Sequence, residues 1–399
     1  RMLTRKQKQP ETTGERPLKT SVRKKIADTR RLYGKDRAKI RALLDECDPN
    51  EIKSEEEVLA DIKKIIWEYD GNLKHLKKEY FDEHLHSKGR NVSEFCTWDE
   101  WIRWNLVLAQ ASGEMANILL DKNRTRQYLR GHSIPVSMSF GEAVWKQNMP
   151  VCRLTGGEMR KLSDLLASAK DLFLKPIDSY QGKGCMKLQA TDIKEGCLAD
   201  GHFIKWEELK DRFEDGPLIV EELVRGHSRL SAFHPSSLNT LRIVTMYTPG
   251  GKIEVLFSLF RMGAGSSSID NWCSGGLCVK INSDGKLVNR GFFEDLSKGA
   301  CERHPDTGIS FAGFQVPFYK ESVELALKAH YECPQMFSVG WDIAVTEKGP
   351  LVQEGNVHWA LFQPIHGGLR PLLNCWLRPN ALAVMNNQPR PWCHEGSLH

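Results

Sequence analysis

Two acidic residues in the last third of the chain carry the sharpest chemical signal. The stretches Trp341-Asp342-Ile343-Ala344-Val345 and Leu351-Val352-Gln353-Glu354-Gly355-Asn356 flank a turn, Glu347-Lys348-Gly349. A hairpin there sets Asp342 beside Glu354, with Asn356 two residues on. Two hard carboxylates and an amide oxygen suit Mg2+, which keeps waters and takes phosphate oxygens as further ligands. In isolation the same hairpin is equally a pair of solvated acids.

Three more features look toward phosphate. Phe173-Leu174-Lys175-Pro176 puts a lysine at a strand end, and Asp178 to Gly184 follows as a glycine loop, before a strand at Met186-Lys187-Leu188. Glycines let backbone N–H groups approach phosphate oxygens closely. The spacing differs from the helix-opening P-loop. Leu218-Ile219-Val220-Glu221-Glu222-Leu223-Val224 ends a strand in paired acids, a place where backbone groups can meet an adenine edge and a carboxylate a ribose hydroxyl. Asn239-Thr240-Leu241-Arg242 opens one strand and Phe260-Arg261 closes the next, so both arginines can act as phosphate forks. Asp270-Asn271-Trp272-Cys273-Ser274-Gly275-Gly276 then supplies a second glycine turn.

The elements that position these residues follow from periodicity. Residues 1–20 are basic and poor in apolar side chains, the composition of a disordered tail. Residues 21–130 read mostly as helix. Ser54-Glu55-Glu56-Glu57 and Thr97-Trp98-Asp99-Glu100 are capping boxes, and Val58, Ile62, Ile65 and Ile66 share one helical face. After Gly131 short apolar runs alternate with turns, including strands at 241–247 and 253–257 around Pro249-Gly250-Gly251, and residues 320–333 look helical.

Composition narrows the class. The 399 residues are 40% hydrophobic and 27% charged, as in soluble globular proteins. No run reaches the ~18 apolar residues of a membrane span, and no signal-peptide pattern is present, so a cytoplasmic location is expected. Eleven cysteines include no Cys-x-x-Cys pair, which speaks for reduced thiols over a zinc site. Residues 1–45 hold 15 Lys/Arg against 5 Asp/Glu, a local balance of +10 that leaves −5 for the rest of a chain with net charge +5.

The order of these parts resembles the ATP-grasp superfamily. The stretches 234–245, Glu302-Arg303-His304-Pro305-Asp306-Thr307-Gly308 and Val339-Gly340-Trp341-Asp342 are similar to the sugar-transfer-associated ATP-grasp family over about residues 118–375. The resemblance implies an α+β ATP-grasp fold, two lobes gripping Mg-ATP, preceded by a mainly helical N-terminal region. The expected division is a tail at 1–20, helices at 21–117, one lobe at 118–225 and a second at 226–399. The resemblance also implies roles. Lys122, within Asp121-Lys122-Asn123, faces the nucleotide. Lys175 meets the α-phosphate region, and Gln181, Gly182, Lys183 and Gly184 cover the phosphates. Glu221, Glu222, Leu223 and Val224 form the adenine and ribose hinge. Arg242, Arg261 and Asn271 surround the γ-phosphate and the acyl intermediate. Asp342, Glu354 and Asn356 hold magnesium. His304, Asp306 and Thr307 are candidates for acceptor binding. The chain departs from much of the superfamily at residues 1–117, which lack alternating strands and helices.

The expected function is an ATP- and Mg2+-dependent carboxylate–amine ligase, working through an acyl phosphate on a small-molecule, peptide or glycan carboxylate and an amine acceptor. A kinase on the same fold is the nearest alternative. A nucleic-acid-binding protein built on residues 1–45 is a more distant one.

Overall fold

The computed structural model describes residues 22–69, 73–176, 184–192, 194–214, 216–267, 269–272, 275–294, 299–388, 390 and 392. Seven helices come first: α1 (Val22–Tyr33), α2 (Arg37–Asp45), α3 (Glu55–Glu68), α4 (Leu73–Asp82), α5 (Trp98–Ala111), α6 (Glu114–Leu120) and α7 (Lys122–Gly131). Both expected capping boxes are formed: Ser54 opens α3 and Thr97 opens α5, each bonded reciprocally with the glutamate three residues on. Val58, Ile62, Ile65 and Ile66 point into a core of their own with Leu32, Tyr80, Phe81 and Phe95. Each fully buried isoleucine there contributes roughly 1.5–3 kcal/mol, enough to hold short helices that would be marginal alone.

The first sheet runs through β1 (Ser139–Lys146), β2 (Met149–Leu154), β3 (Met159–Lys161), β4 (Asp171–Pro176), β5 (Met186–Gln189), β6 (Gly196–Ala199), β7 (His202–Lys205) and β8 (Leu218–Glu222), with α8 (Leu162–Ala169) after β3. Its spatial order is β3-β2-β1-β8-β4-β5-β6-β7. Helix α8 and the 3-10 segment Trp206–Phe213 cover one face around Leu166, Leu172, Leu188 and Leu209.

The second sheet follows a short helix, α9 (Ser228–Ser231). It contains β9 (Thr240–Tyr247), β10 (Ile253–Met262), β11 (Leu277–Ile281), β12 (Leu287–Phe293), β13 (Ala300–Cys301), β14 (Ser338–Thr346) and β15 (Gly349–Asn356), in the order β13-β12-β11-β10-β9-β14-β15. Helix α10 (Tyr319–Tyr331) packs on the face that carries Leu241, Ile243, Ile343 and Val345. The other face carries Val244, Leu259 and Cys278 and is covered by α5 and the C-terminal helices α11 (Gln363–His366), α12 (Arg370–Leu372) and α13 (Arg378–Met385). Strands buried on both faces read as near-continuous apolar runs, as 241–247 does apart from Arg242 and Thr245.

The N-terminal helices are clamped to the C-terminal segment. Arg370 is 4% exposed. It donates to the Phe95 carbonyl (2.6 Å) and, as a fork, to both oxygens of Glu100 (3.0 and 2.8 Å). Gln363 exchanges bonds with the Cys96 backbone at 3.0 and 2.9 Å. Among the described residues no helix is long and apolar enough to cross a membrane.

Candidate functional site

On the second sheet, strand register brings the chemistry together. Arg242 pairs with Asp342, and Asp342 pairs with Glu354. Arg261 pairs with Thr240, two residues before Arg242. Directly opposed residues share a face, so these side chains form one patch, on the face that Trp359 and Phe362 cap. Gly340 permits this: a Cβ there would stand 2.7 Å from that of Trp359.

Arg242 grips Asp342 with two bonds, Nε to Oδ1 at 2.5 Å and Nη2 to Oδ2 at 3.1 Å. Arg261 Nη1 reaches both Asp342 oxygens at 3.1 Å, and its Nη2 donates to Asp270 at 3.0 Å. Asp270 also accepts from the Thr240 backbone at 2.9 Å and from the Thr240 hydroxyl. All four charged residues are less than a tenth exposed. Burial works against the charge of Asp342, but Arg242 and Arg261 hold its carboxyl below the usual range. Burial likewise opposes the Arg261 charge, and Asp270 and Asp342 overcome it to raise its pKa. The cluster is two cations on two anions, internally neutral.

Glu354 and Asn356 stand beside it. Asn356 Nδ2 donates to the Gly340 carbonyl (3.1 Å) and to Asp342 Oδ2 (3.4 Å), which leaves its amide oxygen available. Glu354 is about a third exposed, and Lys122 Nζ lies 3.7 Å from its Oε1. Hard oxygens at adjacent positions are the donors a magnesium ion takes, so Glu354 and Asn356 fit such an ion as they stand. Asp342 offers the same chemistry, but its roughly four acceptor positions face guanidinium and amide N–H groups.

The first sheet carries a different cluster. Lys175 Nζ and Arg126 Nη1 each lie 2.5 Å from Glu221 Oε1, and Arg126 Nε donates to Ser137 Oγ at 3.1 Å. All three charged residues are more than nine-tenths buried. Burial pushes the Lys175 ammonium down to about 8; Glu221 pulls the other way, while Arg126 and Lys122 add to the depression. Two cations share one carboxylate, so this cluster keeps a surplus positive charge.

Helix α7 joins the two clusters. Asp121 caps it, accepting from the Asn123 and Arg124 backbones at 2.9 and 3.0 Å. Lys122 and Arg126, four residues apart, share a helical face. Lys122 turns to Glu354 in the second sheet and Arg126 to Glu221 in the first.

The remaining residues singled out in the sequence are scattered. Glu222 ends β8 exposed, and Leu223 and Val224 follow half-buried. Gly184 leads into β5 at φ +76°, a conformation that favours glycine. Gln181, Gly182 and Lys183 lie outside the described residues. Asn271 is half-buried beside Asp270, and its carbonyl accepts from Gly276 at 3.0 Å. His304 is fully buried. Its Nε2 donates to the Gly263 carbonyl (2.9 Å) and its Nδ1 accepts from the Asp306 backbone (3.3 Å). Asp306 accepts from the Gly265 backbone (2.7 Å), and Thr307 donates to the Phe233 carbonyl (3.2 Å). These three brace the 304–308 turn; His304 is buried, while Asp306 and Thr307 keep exposed surface.

Sequence reasoning missed Arg126, and it noted Asp270 only as the start of a glycine turn, with no role of its own. Arg126 lies one helical turn after Lys122, a spacing that would have found it. Asp270 stands directly before Asn271, but nothing local marks it as the partner of Arg261.

The two sheets, with their buried cation–carboxylate clusters, belong to an ATP-grasp protein. The model of the sugar-transfer associated ATP-grasp family matches residues 103–375, and the chain belongs to that family. Among solved structures it is similar to a D-alanine–D-alanine ligase from Bacillus anthracis (16% identity, 68% of this chain and 70% of that one, TM-score 0.38). It is also similar to N5-carboxyaminoimidazole ribonucleotide synthetase from Thermotoga maritima (13% identity, 69% and 51%, TM-score 0.35). No curated protein matches the chain.

Proposed function

We propose that the protein is an ATP-dependent carboxylate–amine ligase. The observation that carries this reading is α7, whose Lys122 and Arg126 tie a phosphate-type arginine and carboxylate patch on one sheet to a buried lysine on the other. A nucleotide between the sheets would have its phosphates near Lys175 and Lys122. Its base and ribose would meet Glu221, Glu222, Leu223 and Val224. Glu354 and Asn356 would hold magnesium, which when bound neutralises charge on phosphate oxygens, and Asp342 would join them as Arg242 and Arg261 turn from it to the phosphate.

In the reaction a substrate carboxylate oxygen bonds to the γ-phosphorus as the bond to the β-phosphate oxygen breaks, and ADP leaves. Arg242 and Arg261 stabilise the charge spread over the transferred group, and Asn271 orients the acyl phosphate. An amine nitrogen then bonds to the acyl carbon, loses a proton, and phosphate departs. The protein supplies position and charge and needs no nucleophile. Exclusion of water protects the intermediate.

The test is product analysis with ATP, magnesium and paired libraries of carboxylic acids and amines. A ligase releases ADP and phosphate in equal amounts and yields an amide only when both substrates are present. A stable phosphorylated product formed without amine would replace the ligase by a kinase.

A further inference from the structure

Helix α1 has two apolar sides, and the protein covers one of them. Asp28 and Leu32 are buried, Leu32 in the core it shares with Val58 and Ile62 of α3. Val22, Ile26 and Tyr33 are 63%, 39% and 43% exposed. At 3.6 residues per turn these three fall within about 40° of one another, roughly 100° round the helix from Leu32. Trp67 of α3, 39% exposed, extends the stripe. Its indole N–H donates to Thr29 Oγ1 at 2.9 Å, and Lys25 Nζ donates to its carbonyl at 2.9 Å. Thr29 lies between Ile26 and Tyr33 at helical spacing, so the indole stands beside their row. A surface helix ordinarily shows one apolar stripe, turned to the core; the second one here faces solvent.

The charge around this stripe is unbalanced. Arg31 is matched by Asp28 and Asp36, at 3.8 and 3.1 Å, and Arg37 and Arg41 by Glu55, at 2.5 and 2.8 Å. Arg23 and Arg30 run along the flank of the stripe that turns away from Leu32. Both are exposed, and neither is in an ion pair among the described residues. The same holds for Lys35 and Lys39 after α1 and for Lys63, one turn before Trp67. Against these cations stand the exposed acids Asp45 and Glu68. The preceding residues 1–20 hold six Lys/Arg and two Asp/Glu, so their sign adds to the surplus and disfavours them as the cover of this face.

We propose that α1, together with Trp67, is the docking surface for an anionic lipid bilayer. The helix lies in the plane of the headgroups. Val22, Ile26, Tyr33 and Trp67 enter the boundary between headgroups and acyl chains, and Arg23 and Arg30 meet the lipid anions. Sign, chemistry and size select this occupant. A second copy would set the same positive face against itself in a two-fold contact. A single-stranded nucleic acid takes the cations and stacks on the rings, but it leaves Val22 and Ile26 in water. The stripe is about 16 Å long and one side chain wide, well short of the roughly 800 Å2 that a stable protein interface takes from each partner. A bilayer needs no such matched area, because shallow apolar insertion and attraction to anionic headgroups add. The inference goes beyond the ligase reading and does not depend on it.

The experiment is co-sedimentation of the full chain with vesicles of phosphatidylcholine alone and of equal parts phosphatidylcholine and phosphatidylserine. Binding is expected to the anionic vesicles only, and it should weaken as salt is added. The double variant Arg23→Gln/Arg30→Gln should lose about fivefold in affinity for each charge. Val22→Ser/Ile26→Ser, which leaves every charge in place, should lose about tenfold. Lys146→Gln/Lys161→Gln removes two exposed charges from the first sheet and should bind as the wild type does. All six side chains are exposed, and an unchanged melting temperature checks that each variant is folded. No binding to the anionic vesicles overturns the proposal. So does an equal loss in the first-sheet control, which would mean diffuse net charge, or an undiminished affinity in Val22→Ser/Ile26→Ser. Binding to polyuridylate that is tighter than to vesicles and indifferent to Val22 and Ile26 would make the face a nucleic-acid surface instead.

Discussion

The two buried charge clusters face opposite demands. In the first sheet, Lys175 and Arg126 share Glu221, which leaves a surplus positive charge. In the second, Arg242 and Arg261 are fully matched by Asp342 and Asp270. On the proposed function the first would attract the phosphates of the nucleotide. The second is neutral and rigid, so an incoming phosphate must share its guanidinium groups with carboxylates already in place. On the proposed function the difference divides affinity from geometry: one sheet would supply the unbalanced charge, the other the fixed orientation that in-line transfer needs.

The strongest way to break this contrast is Arg261→Ala. It leaves Asp270 and Asp342 buried without their shared partner, and losing one member of a buried pair costs roughly 3–5 kcal/mol. Chemical denaturation should show that loss, and ATP turnover should vanish. Asp342→Asn keeps the shape and removes one charge. Its stability should fall by about 1.5–3 kcal/mol, the worth of hydrogen bonds to a charged group, and ADP release should fall at least a hundredfold. Wild-type ADP release in this variant would remove Asp342 from the metal set.

Glu354→Ala sharpens the contrast. Its side chain is a third exposed and pairs only loosely with Lys122, so stability should stay within about 0.5 kcal/mol of wild type while turnover is lost. A large drop in melting temperature would make Glu354 structural.

The smallest effect concerns Lys175 and pH. With a pKa held near 8, its ammonium is mostly charged at pH 7 and mostly neutral at pH 9. Nucleotide affinity should therefore fall as pH rises through about 8. In Lys175→Arg, which keeps its charge, the slope should flatten. An unchanged slope would assign the titration elsewhere.

Much of this was legible in the sequence, for definite reasons. The capping boxes at Ser54 and Thr97 and the Asp342–Glu354 hairpin are local, so spacing alone specifies them. The pairing of Arg261 with Asp342 is not local, because it depends on how β10, β9 and β14 align, and Asp270 joins them from the loop that follows β10. Arg126 and Glu221 are 95 residues apart and meet only because α7 packs between the sheets.

Calorimetric titration of the full chain with a non-hydrolysable ATP analogue, with and without magnesium, tests the nucleotide site most directly. One site is expected, dependent on magnesium, about tenfold weaker (~1.4 kcal/mol) in Lys175→Ala. Absence of binding in the wild type, or an affinity indifferent both to magnesium and to Lys175, would contradict a phosphate site between the two clusters.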